Sequence, residues 1–300
     1  MQSFSLLCGL LLFFTSNSFK QTIRTRLPSS IATDKLVKHS RKSTTNFKML
    51  PSFVLDPSIL PLFKQALAVD VVIAIALSQV PKLPLTKAGL LHATILGIGL
   101  WTFLGIEGWL VCVTYFIFGS LVTKIKMKEK ERLGIAEKRG GARGPENVWG
   151  SAAAAMTCAM MTYIFPVYSS LYKVGYVASL ATKLSDTFAS EIGKAYGKNT
   201  YLITTLKMVP KGTEGAISIE GTLAGVLGSV IMAAVGIPLG FITTMKGFLA
   251  CIIAAFVATT AESFIGAVYQ DKYPWLSNEL VNLINTLIGA VTAVAIMALH

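Results

Sequence analysis

The segment 181–194 (ATKLSDTFASEIGK) places carboxyl, amino and hydroxyl side chains at the end of an otherwise apolar stretch. Asp186 and Glu191 supply two carboxylates, and helical geometry brings Thr182, Asp186 and Ser190 to one face. Oxygen-rich faces of this kind suit Mg²⁺, which proteins usually hold through one or two carboxylates together with substrate phosphates. The segment therefore predicts metal-ion chemistry at Asp186 and Glu191.

The alternative for both carboxylates is pairing within the same helix. Lys183 precedes Asp186 by three residues and Lys194 follows Glu191 by three, a spacing at which helical side chains meet. A carboxylate near hydrocarbon costs several kcal/mol unless it faces a cation, a partner or a polar cavity. Either reading makes this segment a functional candidate.

A basic, glycine-rich segment at residues 119–151 carries groups that bind phosphate. Arg139 and Arg143 lie among glycines and beside Asn147. Arginine grips phosphate through a bidentate fork, and glycine lets backbone N–H groups approach an anion closely. The segment predicts a phosphate site at these residues, and the alternative is a solvated loop that sets membrane orientation. We favour the loop interpretation for three lysines: Lys126, Lys128 and Lys130.

Two further polar segments follow. The loop 209–222 (VPKGTEGAISIEGT) has three residues suited to cradle a phosphate or simply to turn into a helix: Lys211, Gly212 and Thr213. The other segment places Glu262 and Ser263 near the end of an apolar run. Asparagines open the next run at three positions: Asn278, Asn282 and Asn285. These residues complete a site or bond helices together.

The composition is that of an integral membrane protein: 53% of residues are hydrophobic and only 14% are charged, against about 25% charged in soluble domains. Because an open strand cannot satisfy its backbone in lipid, we predict an all-α, polytopic transmembrane helix bundle of about 6 to 8 spans, with residues 62–299 as the catalytic domain. The apolar runs lie near residues 62–80, 88–105, 108–123, 150–168, 173–192, 221–241, 247–268 and 279–299. Asp70, alone in the first run, is predicted to be a polar contact between helices.

Alternation of these runs predicts on which side of the membrane each connection lies. Counting from the basic loop after residue 123 places that loop, the 193–220 connection and the 269–278 connection on one side. An excess of Lys and Arg marks this side as stroma or cytosol. All the polar segments are therefore expected at one face of the bilayer.

The N-terminus has the composition of a targeting sequence. Residues 1–18 resemble a signal peptide, and residues 19–50 resemble a plastid transit peptide because they are rich in Ser, Thr, Lys and Arg. Residues 1–50 hold eight Lys or Arg against one Asp, which accounts for much of the net charge of +12, so no nucleic-acid partner is expected. This order resembles the bipartite presequences of algae with extra plastid membranes. It predicts a multi-pass protein of a plastid membrane, the inner envelope, whereas the alternative is a plain secretory signal followed by a basic arm.

The polar segments, in this order, resemble those of a widespread membrane protein family that includes the plant phytyl-phosphate kinases of vitamin E synthesis. The resemblance covers about residues 65–298 and is most specific at DTFASEIG (186–193) and at the loop 210–222. Further matching residues are Thr123, Lys124, Arg139 to Arg143, Asn147, Gly150, Glu262 to Ala267 and Asn278 to Asn282. The resemblance implies phosphoryl transfer from a nucleoside triphosphate, expected to be CTP, to phytyl phosphate. The product would be phytyl diphosphate for tocopherol synthesis.

The residues suit this chemistry. A phosphate monoester has a second pKa of about 6, so near neutral pH it is already a dianion and its oxygen attacks without a general base. Catalysis then needs a metal ion and cationic side chains that hold the clustered anions in place. We expect Asp186, Glu191 and Glu262 to hold Mg²⁺. The catalytic set is then Asp186, Lys124, Arg139 and Arg143. The phosphate-binding residues are Asn147, Lys183, Lys211, Gly212, Thr213 and Ser263.

Other functions would use many of the same residues. A kinase or cytidylyltransferase acting on another prenol or lipid phosphate would use similar residues, although a free alcohol would require a general base. A membrane transporter would place polar residues near the middle of the membrane, often in two repeated halves. The kinase or cytidylyltransferase differs from a phytyl-phosphate kinase in the acceptor that it uses. The transporter differs in that it moves a solute across the membrane.

Overall fold

The apolar runs fold as helices, and the connections between them are short. The computed structural model describes residues 57, 59–270 and 272–299, so the predictions for residues 1–18 and 19–50 lie outside the described residues. The helices are α1 Leu60–Ser78, α2 Lys87–Thr123, α3 Met127–Arg132, α4 Pro145–Ile164, α5 Ser169–Tyr196, α6 Ile219–Gly236, α7 Met245–Ile265 and α8 Asn278–Ala298. Short helical turns cover Lys138–Gly141, Pro166–Tyr168 and Gly266–Gln270. The predicted all-α, polytopic class is confirmed.

Strand structure in the described residues is limited to one ribbon. Strand β1, Tyr201–Leu202, pairs antiparallel with β2, Ala216–Ile217. The ribbon closes the connection between α5 and α6, and the helices around it belong to one compact unit, residues 57–79 and 83–300.

Hydroxyl side chains mark where several helices begin. Thr86, Ser218, Thr244 and Ser277 each accept a hydrogen bond from a backbone N–H three residues further on, at the first turns of α2, α6, α7 and α8. This contact satisfies one of the N–H groups that a helix start leaves without a partner. The local sequence therefore determines where these four helices begin.

Among the described residues, five helices are long and apolar enough to cross a membrane, or six if α4 and α5, which meet at a bend of 120°, form one broken span. The predicted runs 88–105 and 108–123 both fall within α2. This helix is interrupted at Gly105, whose φ of 74° and ψ of −177° are not helical. That backbone conformation is open essentially to glycine alone.

The α2 helix folds back on itself at Gly105. A straight helix of 37 residues would be about 55 Å long, yet its two ends meet. A Cβ added at Gly119 would lie 2.8 Å from Nη2 of Arg143, and one added at Gly89 would touch the carbonyl oxygen of the same residue. A Cβ at Gly97 would lie 3.0 Å from Nε1 of Trp109. The two predicted runs are the antiparallel legs of a helical hairpin.

The connections 124–144, 197–218 and 266–277 meet at one end of the bundle, which we call the polar end. A Cβ added at Gly150 would lie 2.7 Å from the carbonyl oxygen of Glu279, so the starts of α4 and α8 are in contact. Gly212 abuts Ile135, which joins the second connection to the first. The three polar connections therefore share one face of the bundle.

Helix α5 lies at the centre of the bundle and packs against α4, α6, α7 and α8. Tyr176, Leu180 and Leu184 are fully buried along it. Away from the polar end, Asp70 of α1 accepts a hydrogen bond from Nε1 of Trp109 on α2 (2.8 Å). The predicted role of Asp70 as a contact between helices is confirmed.

Candidate active site

Lys183 of α5 is the hub of a buried polar cluster. Its ammonium donates to Oδ2 of Asp186 (2.5 Å) and to Oδ1 of Asn282 on α8 (2.6 Å). The side chain is buried, and a buried ammonium is stable only when it is paired and hydrogen bonded. The pairing of Lys183 with Asp186 that the spacing predicted is therefore present, with α8 as a third contributor.

Glu262 of α7 brings a second carboxylate to the same place. It lies close enough to Asp186 and Lys183 to interact electrostatically with both, and it accepts a hydrogen bond from Nδ2 of Asn285 on α8. Two carboxylates this close repel each other unless a proton or a cation lies between them. Three helices, α5, α7 and α8, thus hold a carboxylate pair beside one ammonium.

The donor set of this cluster suits a magnesium ion. Asp186 and Glu262 provide two carboxylates, and Oδ1 of Asn285, which is fully buried, has no hydrogen-bond partner among the described residues. Two carboxylates and an amide oxygen are ligands that Mg²⁺ accepts while it keeps waters and binds substrate phosphates. The residues present fit the ion.

Glu191 lies apart from this set, so the structure does not bring the three carboxylates predicted to hold Mg²⁺ around one point. Among the described residues, no three or more His, Cys, Asp or Glu side chains gather around a point that could hold a metal. Glu191 instead forms an ion pair with Lys130 of α3, and each of the two side chains is 1% exposed. Its Oε2 is paired with this internal cation, whereas its Oε1 is buried without a hydrogen-bond partner among the described residues.

The structure also corrects the interpretation of Lys130, whose sequence context favoured a solvated loop. Its ammonium donates to the carbonyl oxygen of Thr123 (2.8 Å) as well as to Glu191. Lys194 completes this group at 4.0 Å from Glu191 and 3.8 Å from Glu137. The short helix α3 is therefore fastened to α5 by buried charge.

Arg143 reaches the bundle interior through Tyr115 of α2. Its Nη1 donates to the Tyr115 hydroxyl, and its guanidinium carbon lies 5.3 Å from the ring centroid. Its backbone is fixed as well, because its N–H donates to the carbonyl of Pro84 (3.1 Å) and its carbonyl accepts from Thr86 (3.0 Å). Tyr115 is 3% exposed and interacts electrostatically with Lys183. Arg143 thus joins the cluster around Lys183.

Arg139 and Asn147 form hydrogen bonds at the start of α4. Nη2 of Arg139 donates to Glu146 (2.5 Å) and to Oδ1 of Asn147 (2.8 Å), and that same oxygen accepts from the backbone N–H of Gly144 (3.0 Å). These contacts cap a helix terminus. Arg139 is exposed, and Lys124 is exposed at the end of α2.

The predicted phosphate loop is a turn at the polar end. Gly212 has a φ of 84°, in the left-handed region, and the Thr213 hydroxyl donates to the carbonyl of Pro210 (2.8 Å). Lys211 interacts electrostatically with Glu220. The Ser263 hydroxyl donates to its own helix, at the carbonyl of Thr259 (3.1 Å). These residues lie at the polar end, but their hydrogen bonds do not reach Asp186 or Glu262.

Sequence reasoning missed Tyr115 as a member of the cluster. It left Asn285 open as a residue that completes a site or bonds helices, and its position one turn after Asn282 in α8 was the available signal. Tyr115 lies within the apolar run of α2, where an aromatic residue is typical of packing. Neither partnership is visible without the tertiary contacts.

A buried cluster of mixed charge, held by transmembrane helices at one end of the bundle, defines a polytopic membrane protein with a polar site at a membrane face. The chain belongs to the integral membrane protein family DUF92, whose family model matches residues 70–290. This range contains every residue of the cluster, and the resemblance predicted from the sequence is confirmed.

Individual relatives span bacteria, plants and archaea. The chain is 45% identical over 252 residues to Protein VTE6, chloroplastic, of Arabidopsis thaliana, which covers 82% of this chain and 75% of the relative. It is 55% identical over 219 residues to an uncharacterized membrane protein of Synechocystis sp., covering 73% of this chain and 84% of the relative. An uncharacterized membrane protein of Methanocaldococcus jannaschii is 34% identical over 212 residues, covering 71% of this chain and 85% of the relative. No solved structure matches the chain.

Proposed function

We propose that the protein is a membrane phosphotransferase of tocopherol synthesis in the plastid. It transfers the terminal phosphoryl group of a nucleoside triphosphate, CTP in our proposal, to phytyl phosphate and yields phytyl diphosphate. The observation that carries the proposal is the meeting of Asp186, Glu262 and Lys183 beside Arg143 at the polar end. The similarity to a chloroplastic plant protein supports the plastid location, and the inner envelope remains our expectation for the membrane.

The charges of the cluster suit two clustered phosphate groups. Asp186 and Glu262 would hold Mg²⁺ with the amide oxygen of Asn285, and the bound ion would neutralise charge on the transferred phosphoryl group. Lys183 lies beside these carboxylates as a cation for phosphate oxygens, and Arg143 offers a planar fork of donors. The remaining predicted cations at the polar end, Lys124 and Lys211, are assigned to the nucleotide phosphates.

The transfer needs no general base from the protein. An oxygen of the phytyl phosphate dianion forms a bond to the terminal phosphorus of the nucleotide, and the bond from that phosphorus to the bridging oxygen breaks. The nucleoside diphosphate leaves with the electron pair, so atoms and charge balance without proton transfer. The task of the chain is to bring two anions together and hold them in line.

The outer surface of the bundle suits the lipid tail of the acceptor. Val72 and Ile75 of α1 and Leu223 of α6 are between 61% and 66% exposed, as expected of side chains that face lipid. The phytyl chain would remain in the bilayer while its phosphate reaches the polar end.

The test is a phosphorylation assay on the detergent-purified protein with radiolabelled nucleotide. Wild-type protein should label phytyl phosphate in the presence of Mg²⁺ and lose this activity in EDTA. The Asp186→Asn variant should be inactive, whereas the matched control Glu129→Gln, an exposed carboxylate paired with Lys126 at 3.4 Å, should be active. Exclusive use of free phytol as acceptor would refute the substrate assignment, and full activity of Asp186→Asn would refute the site.

A further inference from the structure

Tyr115 occupies an unusual position for a tyrosine inside an apolar helix. Its hydroxyl accepts a hydrogen bond from the Arg143 guanidinium, which lies ahead of α4, and the Lys183 ammonium of α5 is near enough to interact with the side chain electrostatically. The side chain is 3% exposed. A buried phenol normally needs one hydrogen-bond partner, and here it has a cation as that partner and a second cation nearby.

Neighbouring residues position the Arg143 guanidinium beside the Tyr115 hydroxyl. Gly119 lies one turn after Tyr115 on α2, and a Cβ there would come within 2.8 Å of Nη2 of Arg143. The backbone of Arg143 is held on both sides by Pro84 and Thr86. The absence of a side chain at Gly119 therefore leaves room for the guanidinium, and the backbone hydrogen bonds to Pro84 and Thr86 fix the position from which Arg143 reaches Tyr115.

The direction of the hydrogen bond leaves the phenol able to donate. Arg143 can only donate, so the Tyr115 oxygen accepts in that contact. Its own hydrogen is then available to an acceptor, and lysine cannot supply one. The group that satisfies two cations and one hydroxyl hydrogen at the same time is an anion with several oxygens.

We propose that Tyr115 binds the phosphate of the lipid acceptor, donating its hydroxyl hydrogen to a phosphate oxygen while it holds Arg143 in place. The ligand class is a phosphate monoester of an isoprenoid alcohol, and the inference rests on the proposed function. Tyr115 then contributes to acceptor binding, whereas the nucleotide is bound by other residues. It acts on the acceptor Michaelis constant more than on the turnover rate.

The experiment compares Tyr115→Phe with a second tyrosine in the same bundle. Tyr176→Phe is the matched control, because Tyr176 is fully buried and its hydroxyl donates to the carbonyl of Gly108 (2.6 Å), in the hairpin of α2. Hydrogen bonds to charged groups are worth about 1.5–3 kcal/mol, which corresponds to roughly ten-fold or more in affinity. We expect Tyr115→Phe to raise KM for phytyl phosphate about ten-fold, with KM for CTP unchanged and kcat within about three-fold of wild type.

Binding measured without nucleotide separates this inference from the proposed function. Titration calorimetry with phytyl phosphate alone should give weaker binding to Tyr115→Phe than to wild type, while Tyr176→Phe binds as wild type does. Absence of transfer with this difference intact would refute the proposed function and leave the phosphate site standing. Normal transfer with equal KM and equal affinity in Tyr115→Phe would overturn the inference, and wild-type protein that binds no isoprenoid phosphate would overturn both.

A second variant keeps the test decisive if Tyr115→Phe does not fold. Gly119→Ala leaves the phenol untouched but places a methyl group against the Arg143 guanidinium. It should raise KM for the lipid phosphate in the same direction as Tyr115→Phe, without a change in KM for CTP. An unchanged acceptor KM in a folded Gly119→Ala protein would contradict the role of the Tyr115 and Arg143 contact.

Discussion

Two charge clusters at helix α5 differ in how their charges are balanced. Near its end, Glu191 and Glu137 are matched by Lys130 and Lys194, two carboxylates against two ammonium groups. Two turns earlier, Lys183 faces two carboxylates, Asp186 and Glu262. The first cluster is neutral by itself. In the second, one ammonium lies beside two carboxylates, and the further cation, Arg143, contacts the Tyr115 hydroxyl instead of a carboxylate.

The comparison indicates which cluster does chemistry. A balanced buried pair fastens one element to another and has little left to offer a ligand. Each cluster holds a buried oxygen without a hydrogen-bond partner among the described residues, Oε1 of Glu191 in the first and Oδ1 of Asn285 in the second. The clusters differ in that the second pairs one ammonium with two carboxylates, an arrangement that a bound cation would complete and that would then attract phosphate. We assign anchoring of α3 to the first cluster, and the proposed phosphoryl transfer belongs to the second.

The largest effect is expected from neutralising a carboxylate of the second cluster. Asp186→Asn removes a metal ligand, which is worth several kcal/mol of transition-state stabilisation, so kcat should fall by about a thousand-fold. Stability should change little, because the substitution also relieves repulsion with Glu262. Paired measurements of turnover and of the melting temperature check both parts. A protein that unfolds instead would assign Asp186 to anchoring and break the comparison.

The first cluster should respond in the opposite way. Lys130→Ala leaves Glu191 buried without its main cation, and removal of one partner from a buried ion pair costs about 3–5 kcal/mol of unfolding free energy. Denaturant unfolding in detergent measures this loss. Turnover per folded molecule should remain near wild type. Loss of turnover at full stability would give Lys130 a part in catalysis.

Replacing both members of that pair should recover most of the loss. Lys130→Met combined with Glu191→Leu exchanges a buried ion pair for apolar side chains of similar size, a change that is often neutral or stabilising. We expect the double variant to lie within about 2 kcal/mol of wild type, with a clearly non-additive coupling between the two sites. Strictly additive losses would show that the two charges do not depend on each other.

The difference between the clusters was only partly predictable from the sequence. Carboxylates within apolar runs are costly, so Asp186 and Glu262 were identifiable as functional candidates by composition alone. The partner of Glu191 was not, because Lys130 lies 61 residues away in a stretch where charges alternate and every lysine resembles a solvated one. Burial of one lysine among several is decided by the packing of α3 on α5.

The helices themselves were more predictable than their pairing. Apolar runs predicted the elements, and even the fold-back at Gly105 separates two runs that were recognised as distinct. Tyr115 was hidden because an aromatic residue in an apolar helix is usually a packing residue. Its contact with Arg143 depends on the hairpin geometry of α2, which a linear pattern does not encode.

The smallest effect is expected from a charge pair that lies outside both clusters. Arg139 and Glu146 form an ion pair at the start of α4 in which the side chains are 46% and 43% exposed. Exposed pairs contribute at most about 1 kcal/mol, since water screens their attraction and ordering them costs entropy. Arg139→Gln should therefore lower the unfolding free energy by less than about 1 kcal/mol, and it should change turnover by less than about five-fold.

The matched variant for this prediction is Arg143→Gln, in which the same chemical change is made four residues along the chain. Arg143 points into the bundle at Tyr115, so its loss should raise the acceptor KM at least ten-fold by the reasoning that charged hydrogen bonds contribute about 1.5–3 kcal/mol. Acceptor titrations of the two variants give the comparison directly. Equal defects would mean that the exposed Arg139 and the partly buried Arg143 serve the phosphate alike, and burial would then no longer separate catalytic residues from surface charges in this protein.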